Sequence, residues 1–192
     1  MVIELLAILS ASAAAGMRIA LPLLAIGLLQ KDKLWSNVPV LSQIDPRVLI
    51  VILISWSLFE LLGSKQLLGQ RILQIIQLIF SPLVGALMGI TVARAVELEF
   101  NPIWLIGVVG GILALILKLV EIGWFFRLRG IPLWLALSED VLCVFLVMFA
   151  MRAPQEGGLI ALMLLWLAIR SAAEWRNWSR SPQKIDEKNK YI

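Results

Sequence analysis

The feature that most constrains this chain is a series of apolar stretches, most of them about as long as a bilayer is thick. The clearest runs from Ile103 to Phe126, and its only charged residues are Lys118 and Glu121. Of the 192 residues, 60% are hydrophobic, whereas soluble domains are about 45–50% apolar. So much apolar surface requires lipid as its solvent, and helices of roughly 20 residues satisfy their own backbone there. We therefore expect an all-α, polytopic bundle of transmembrane helices.

Six apolar segments predict about six helices, which form one transmembrane domain over residues 1–173. The segments are 2–29, 48–62, 72–93, 103–126, 131–151 and 157–173. The second is shorter than the roughly 17 residues that a spanning helix needs, so it either crosses the bilayer or re-enters it. Residues 174–192 are polar and predict a cytoplasmic tail.

Small residues and prolines interrupt two of these segments. Gly16 and Pro22 flank Arg18 in the unusually long first segment, and because Gly and Pro weaken a helix, we expect a break near Gly16. The third segment contains Pro82, Gly85 and Gly89. Small residues at helix-neighbour spacing allow two helices to approach closely, so this segment predicts tight packing.

The basic residues predict how the chain sits in its membrane. The net charge is +4, and Lys and Arg gather at the ends of apolar stretches, more of them in the second and fourth loops and the tail than in the other loops. Positive charge favours the cytoplasm, so both termini are predicted to lie there. This pattern indicates anchoring to the lipid bilayer and not binding to nucleic acid.

The signatures of common enzymes are absent from the sequence. There is no histidine and no glycine-rich phosphate loop, and the single cysteine, Cys143, lies in an apolar run. These absences exclude histidine-based zinc sites, histidine-dependent triads and an intramolecular disulfide. We predict that the protein is not an enzyme and holds no cofactor and no metal.

Ionisable residues inside apolar segments are the candidate functional residues, since each costs roughly 2.5–3.5 kcal/mol to insert. Those predicted to line a polar, ion or substrate pathway are Arg18, Glu60, Lys118, Glu139 and Asp140. Glu60, Lys118 and Glu139 fall at similar predicted depths and could form one cluster. Lys118 also shares a helix face with Glu121, which predicts a local ion pair.

Two of these positions leave alternatives open. Glu139 and Asp140 are adjacent, so they point about 100° apart on a helix and cannot both address one ligand without a bend. One of them either lines a polar cavity or neutralises an arginine between helices. Arg18 either binds an anionic substrate or lipid, or holds the bundle together through a salt bridge.

Four motifs, in order, resemble those of a bacterial membrane family known as domain of unknown function 4126. They are Ala13-Ala14-Ala15-Gly16-Met17-Arg18 with Pro22, Glu60 with Lys65, Gln77 with Ser81-Pro82 and Gly85-Ala86, and Glu139-Asp140-Val141-Leu142. The resemblance covers roughly residues 5–150 and implies a membrane bundle without implying an activity. It is strongest to a cyanobacterial branch, which implies a plasma or thylakoid membrane.

This chain departs from the family pattern at three positions. Ser64 and Gln70 stand where the family has aspartates, and Ser81 stands where it has an arginine. An ion pathway that used those charges in relatives would therefore differ here.

Two functions remain open on the sequence. A small transporter or channel for a small solute or ion fits a broken first helix with buried charges. A structural or assembly factor, acting as a homo-oligomer or binding membrane-protein, lipid or pigment partners, fits the eight tryptophans and the small-residue surfaces. A lipid-modifying enzyme built on Glu121, Arg127 and Arg129 is the weakest hypothesis, because anchoring explains those arginines.

Overall fold

The computed structural model describes residues 2–30, 45–63, 67–98, 102–128 and 132–180. These ranges contain seven helices and no strand, which confirms the predicted all-α fold. The helices are α1 (Val2–Met17), α2 (Ala20–Gln30), α3 (Pro46–Gly63), α4 (Leu67–Ala95), α5 (Ile103–Leu128), α6 (Leu133–Arg152) and α7 (Pro154–Arg180).

Four of these helices are long and apolar enough to cross a bilayer. The spanning stretches are Arg71–Ala95, Ile103–Arg127, Trp134–Arg152 and Pro154–Glu174, and they correspond to the last four predicted segments. The first two predicted segments correspond to the shorter helices α1, α2 and α3.

Some predictions fall outside the described residues. These concern the polar loop at 31–44, Ser64, Lys65, Arg129 and the tail at 181–192. Helix α7 continues to Arg180, past the predicted domain boundary at residue 173, so the first part of the predicted tail is helical.

The first predicted helix is broken, as expected, and the break falls at Arg18 and Ile19. The Arg18 N–H still donates to the Ala14 carbonyl at 3.1 Å, after which the α1 ladder stops. Pro22 lies in the first turn of α2, where a missing N–H costs nothing because that turn has no intrahelical acceptor. Gly16 serves packing instead: a Cβ there would lie 2.9 Å from the Cα of Ala114 on α5.

Helix α1 lies at the centre of the bundle and packs against α4, α5, α6 and α7. Its buried face from Ser10 to Gly16 consists entirely of Ser, Ala and Gly, and such small residues allow neighbouring helices to come close. A Cβ at Gly110 of α5 would lie 2.5 Å from the Ser12 Oγ and 2.7 Å from the Gly85 carbonyl oxygen. The glycines therefore permit α1, α4 and α5 to meet at one point.

The other small residues predicted in α4 also lie at this junction. A Cβ at Gly89 would be 3.2 Å from the Ser12 Oγ, and one at Gly111 would be 2.8 Å from the Pro82 carbonyl oxygen. Pro82 itself lies inside α4. Next to it, Ser81 donates a hydrogen bond across the interface to the Ala114 carbonyl at 3.2 Å.

Hydrogen bonds between helices fix their directions. Ser10 of α1 donates a hydrogen bond to the Leu146 carbonyl of α6, and Arg18, just after α1, donates to Asp140 of α6. Helices α1 and α6 are therefore antiparallel. Trp124 of α5 meets Ser171 of α7 at the end of the bundle opposite the α6–α7 turn at Ala153. We call these two ends the Arg127 end and the Ala153 end.

The two ends of the described chain lie on opposite sides of the bundle. Val2 is at the Ala153 end, and Arg180 is at the Arg127 end. The prediction that both termini lie in the cytoplasm also involves residues 1 and 181–192, which lie outside the described residues, and it stays a prediction. Helix α4 runs antiparallel to α5, with Gln77 beside Lys118 and Ser81 beside Ala114, and so it starts at the Arg127 end. Val2 and Leu67 therefore lie at opposite ends of the bundle.

Candidate functional site

Lys118 lies in the middle of α5 with none of its surface exposed. Its ammonium group donates to the Met17 carbonyl at 2.9 Å, to the Gln77 Oε1 at 2.8 Å and to the Glu121 carboxylate. An ammonium has three N–H donors, so all of them are used. The Met17 carbonyl would otherwise be unpaired at the end of α1, and Lys118 thereby joins the broken helix to α4 and α5.

Gln77 links Lys118 to helix α3 through hydrogen bonds. Its side-chain amide donates to the Glu60 Oε1 at 2.9 Å, and the Trp56 indole N–H donates to the same oxygen at 3.0 Å. Glu60 is only 3% exposed, and its Oε2 is buried without a hydrogen-bond partner in the described part of the chain. Among the residues that the structure describes, the donors to Glu60 are therefore both neutral.

Arg18 forms a second centre at the break between α1 and α2. It is 7% exposed, its Nε donates to the Asp140 Oδ1 at 2.6 Å, and its Nη2 lies 3.9 Å from the Glu139 Oε2. From the sequence, Glu139 and Asp140 were expected not to address one ligand without a bend in the helix, and one of them either to line a polar cavity or to neutralise an arginine between helices. The branched guanidinium reaches both because its nitrogens project in different directions.

The two centres adjoin at the helix break, because Lys118 holds the Met17 carbonyl and Arg18 is the next residue. Glu121 of the first centre and Glu139 of the second also line one cavity. The polar network therefore runs continuously across the bundle from α3 to α6. Its side chains are Arg18, Trp56, Glu60, Gln77, Lys118, Glu121, Glu139 and Asp140.

A cavity of about 880 Å³ opens between α5, α6 and α7 and reaches this network. Glu121 and Glu139 lie on its inner wall. Most of the remaining wall is apolar and includes Leu117, Val120, Leu142, Phe145, Leu164 and Leu167. The polar rim at the Arg127 end consists of Trp124, Arg127, Arg170, Ser171 and Glu174.

Two contacts organise the rim of the cavity. The Trp124 indole N–H donates to the Ser171 Oγ at 2.7 Å, which ties α5 to α7. The Arg170 Nε lies 3.8 Å from the Glu174 Oε1, so this arginine is already paired with an acid. The acids of the wall lie about one helical turn from this mixed rim, as Glu121 and Trp124 show, and the apolar wall continues beyond them toward the Ala153 end.

The structure brings all five predicted pathway residues into one network. Sequence reasoning did not assign Gln77, Trp56 or the Met17 carbonyl as bridges, although a glutamine inside an apolar stretch was a usable signal for the first. Glu121, the centre of the hypothetical lipid enzyme, is bonded to Lys118, and Arg127 lies apart at the rim. Among the described residues, no group of three His, Cys, Asp or Glu is placed to hold a metal ion.

Apolar helices long enough to span a bilayer, with their charges turned inward, define an integral membrane protein. The family model described as Domain of unknown function (DUF4126) matches residues 5–174. This is most of the chain, so the protein belongs to that family, as its motifs predicted. No curated protein and no solved structure matches the chain.

Proposed function

We propose that this protein is a small transporter or channel, and not an enzyme, that moves a small solute or ion across a bacterial plasma or thylakoid membrane. The observation that carries the proposal is the helix break at Arg18, which lies inside the bundle beside charged side chains and close to an open cavity.

Broken helices have a recognised use in membranes. Irregular backbone is tolerated at membrane depth only where protein buries it or where it lines a cavity, and many transporters place their sites at such breaks. Met17, the last residue of α1, lines the cavity wall, and its carbonyl accepts from Lys118. The break, the charges and the cavity thus occupy one region of the bundle.

An assembly factor is the second candidate, and the saturation of Lys118 favours it. An ammonium whose three donors are all satisfied by protein atoms has none left for a solute. On this hypothesis the charges fix the bundle geometry, and partners bind its outer apolar surface.

Water access to the cavity separates the two candidates. Single cysteines at Ser138 and Leu142, introduced into a Cys143→Ala background, would be treated in membranes with a charged, impermeant thiol reagent. We expect both to react, because both residues line the cavity. Unsubstituted Cys143 is the matched control: it neighbours Leu142 in sequence, is buried and donates to the Ala14 carbonyl, so it should stay unlabelled.

A cysteine at Glu174, which has a 65% exposed side chain at the rim, reports whether the reagent reaches that end of the bundle. If this cysteine reacts while those at Ser138 and Leu142 do not, the cavity is dry. The transport proposal would then be overturned in favour of assembly.

A further inference from the structure

We propose that the cavity binds lipophilic organic monocations, which exchange there with a proton held at Glu139. The inference rests on the transport function proposed above and names its substrate class. It stands on the charge balance of the polar network and on the shape and chemistry of the cavity.

The polar network contains more acids than bases. Its two cations each have a close acidic partner: Lys118 contacts Glu121, and Arg18 contacts Asp140 at 2.6 Å. Glu139 also lies 3.9 Å from Arg18 and so shares that one cation with Asp140. Excess negative charge buried away from water is strongly unfavourable, so this pair of acids needs a proton or a further cation.

Glu139 is the acid of this pair that a ligand can reach. Glu60 lies away from the cavity, whereas Glu139 is part of the cavity wall. The Arg18 Nη2 is 3.9 Å from the Glu139 carboxylate, while the Nε of the same guanidinium is engaged by Asp140. Glu139 therefore either keeps a proton or meets a cation that enters the cavity.

The cavity favours an organic cation over a hydrated metal ion. Its wall is mostly apolar and offers few oxygen ligands to replace the water of an inorganic ion. The volume of about 880 Å³ suits a drug-sized molecule. Phe145 and Trp124 line the same space, and aromatic faces attract cations that carry apolar groups.

Binding and proton release are then one exchange. When the cation enters, the carboxyl O–H bond of Glu139 breaks, the proton leaves to water at the Arg127 end, and the carboxylate pairs with the cation. The total charge inside the cavity is unchanged. The other charged groups that face Glu139 are paired among themselves or lie at the rim: Arg18, Lys118, Glu121, Asp140, Arg127, Arg170 and Glu174.

The test is equilibrium binding to the full chain in zwitterionic lipid nanodiscs, with empty nanodiscs subtracted. The probe is tetraphenylphosphonium, and tetraphenylborate is the matched control with the same shape and the opposite charge. We expect the cation alone to bind, more tightly at mildly alkaline than at mildly acidic pH, with release of about one proton per cation.

Two substitutions locate the site. Glu139→Gln keeps a hydrogen bond but removes the charge, so it should weaken cation binding by about tenfold or more. Glu156→Gln is the matched control, because Glu156 is exposed near the Ala153 end, and it should leave binding unchanged. Leu142→Trp fills the cavity without touching a charge, and it should also abolish binding. This second variant tests the proposal even if Glu139→Gln fails to fold.

Equal binding of cation and anion, or full cation binding by Glu139→Gln, would overturn the proposal and assign the cavity to lipid chains. The outcome is separable from that of the transport proposal, which is judged by thiol labelling in the absence of any cation. Labelled cavity cysteines without cation binding would overturn the substrate class alone.

Discussion

Lys118 shows how one side chain can hold three helices together in a membrane interior. Its ammonium contacts the end of α1, the middle of α4 and the acid one turn along α5. No water competes for these donors in a fully buried site, so the contacts are made without the screening that weakens surface pairs. The same burial makes the loss of either partner costly.

Replacing Lys118 with Met should lower the free energy of unfolding by about 3–5 kcal/mol, because it leaves Glu121, Gln77 and the Met17 carbonyl buried without their donor. Thermal or denaturant unfolding in detergent measures the effect. Arg71→Gln is the control, since Arg71 is an exposed basic residue, and it should change stability by less than about 0.5 kcal/mol. Equal loss in both variants would contradict the role assigned to Lys118.

Sequence reasoning reached the members of the site more easily than their contacts. The cost of a buried charge singled out Arg18, Glu60, Lys118 and Glu139, and helix spacing predicted the pair between Lys118 and Glu121. The contacts of Lys118 with Gln77 and Met17 span 41 and 101 residues of sequence. No local pattern encodes such separations, because they depend on how the helices pack.

At the scale of helices, the close packing of α1, α4 and α5 depends on glycines, which have no side chain to keep the helices apart. Gly110 lies where a side chain would meet the Ser12 Oγ and the Gly85 carbonyl oxygen. Close backbone approach increases the dispersion contacts that associate helices in lipid, where the hydrophobic effect gives little. The predicted small-residue spacing in α4 identified one surface of this contact, and Ser12 supplied the other.

Gly110→Ala should therefore destabilise the bundle by about 1–3 kcal/mol, because the added methyl pushes apart backbone and not only flexible side chains. Gly123→Ala is the matched control in the same helix, since a Cβ there has no neighbour within 4 Å. It should be neutral or stabilising by up to about 1 kcal/mol through helix propensity. Unfolding of the two variants in the same detergent makes the comparison, and a Gly123 variant as unstable as the Gly110 variant would refute it.

At the scale of the molecule, the helix directions place Val2 and Arg180 at opposite ends of the bundle. Counting basic residues could not reveal this, because the count assumed that residues 2–29 and α3 were two complete crossings. The break at Arg18 is visible in sequence as Gly16 and Pro22, but its effect on parity depends on which helices surround α1.

Reporters fused before residue 2 and after residue 180 should consequently lie on opposite sides of the membrane. A fluorescent protein that folds only in the cytoplasm and a phosphatase active only outside it give complementary signals, so each terminus is tested twice. We expect one of the two reporters to be active at the first position and the other reporter to be active at the second. The same active reporter at both positions would contradict this prediction and would indicate an even number of crossings.

Helix α1 is synthesised before α4, α5, α6 and α7, yet it packs mainly on those four helices. It has 16 residues, short of the roughly 17–25 that span a bilayer, and it carries Ser10, Ser12 and the adjoining Arg18, whose partners are all made later. Its contacts with α7 can form only after that last helix has entered the membrane. A nascent chain halted before α7 would therefore leave one side of α1 uncovered, which membrane quality control could recognise.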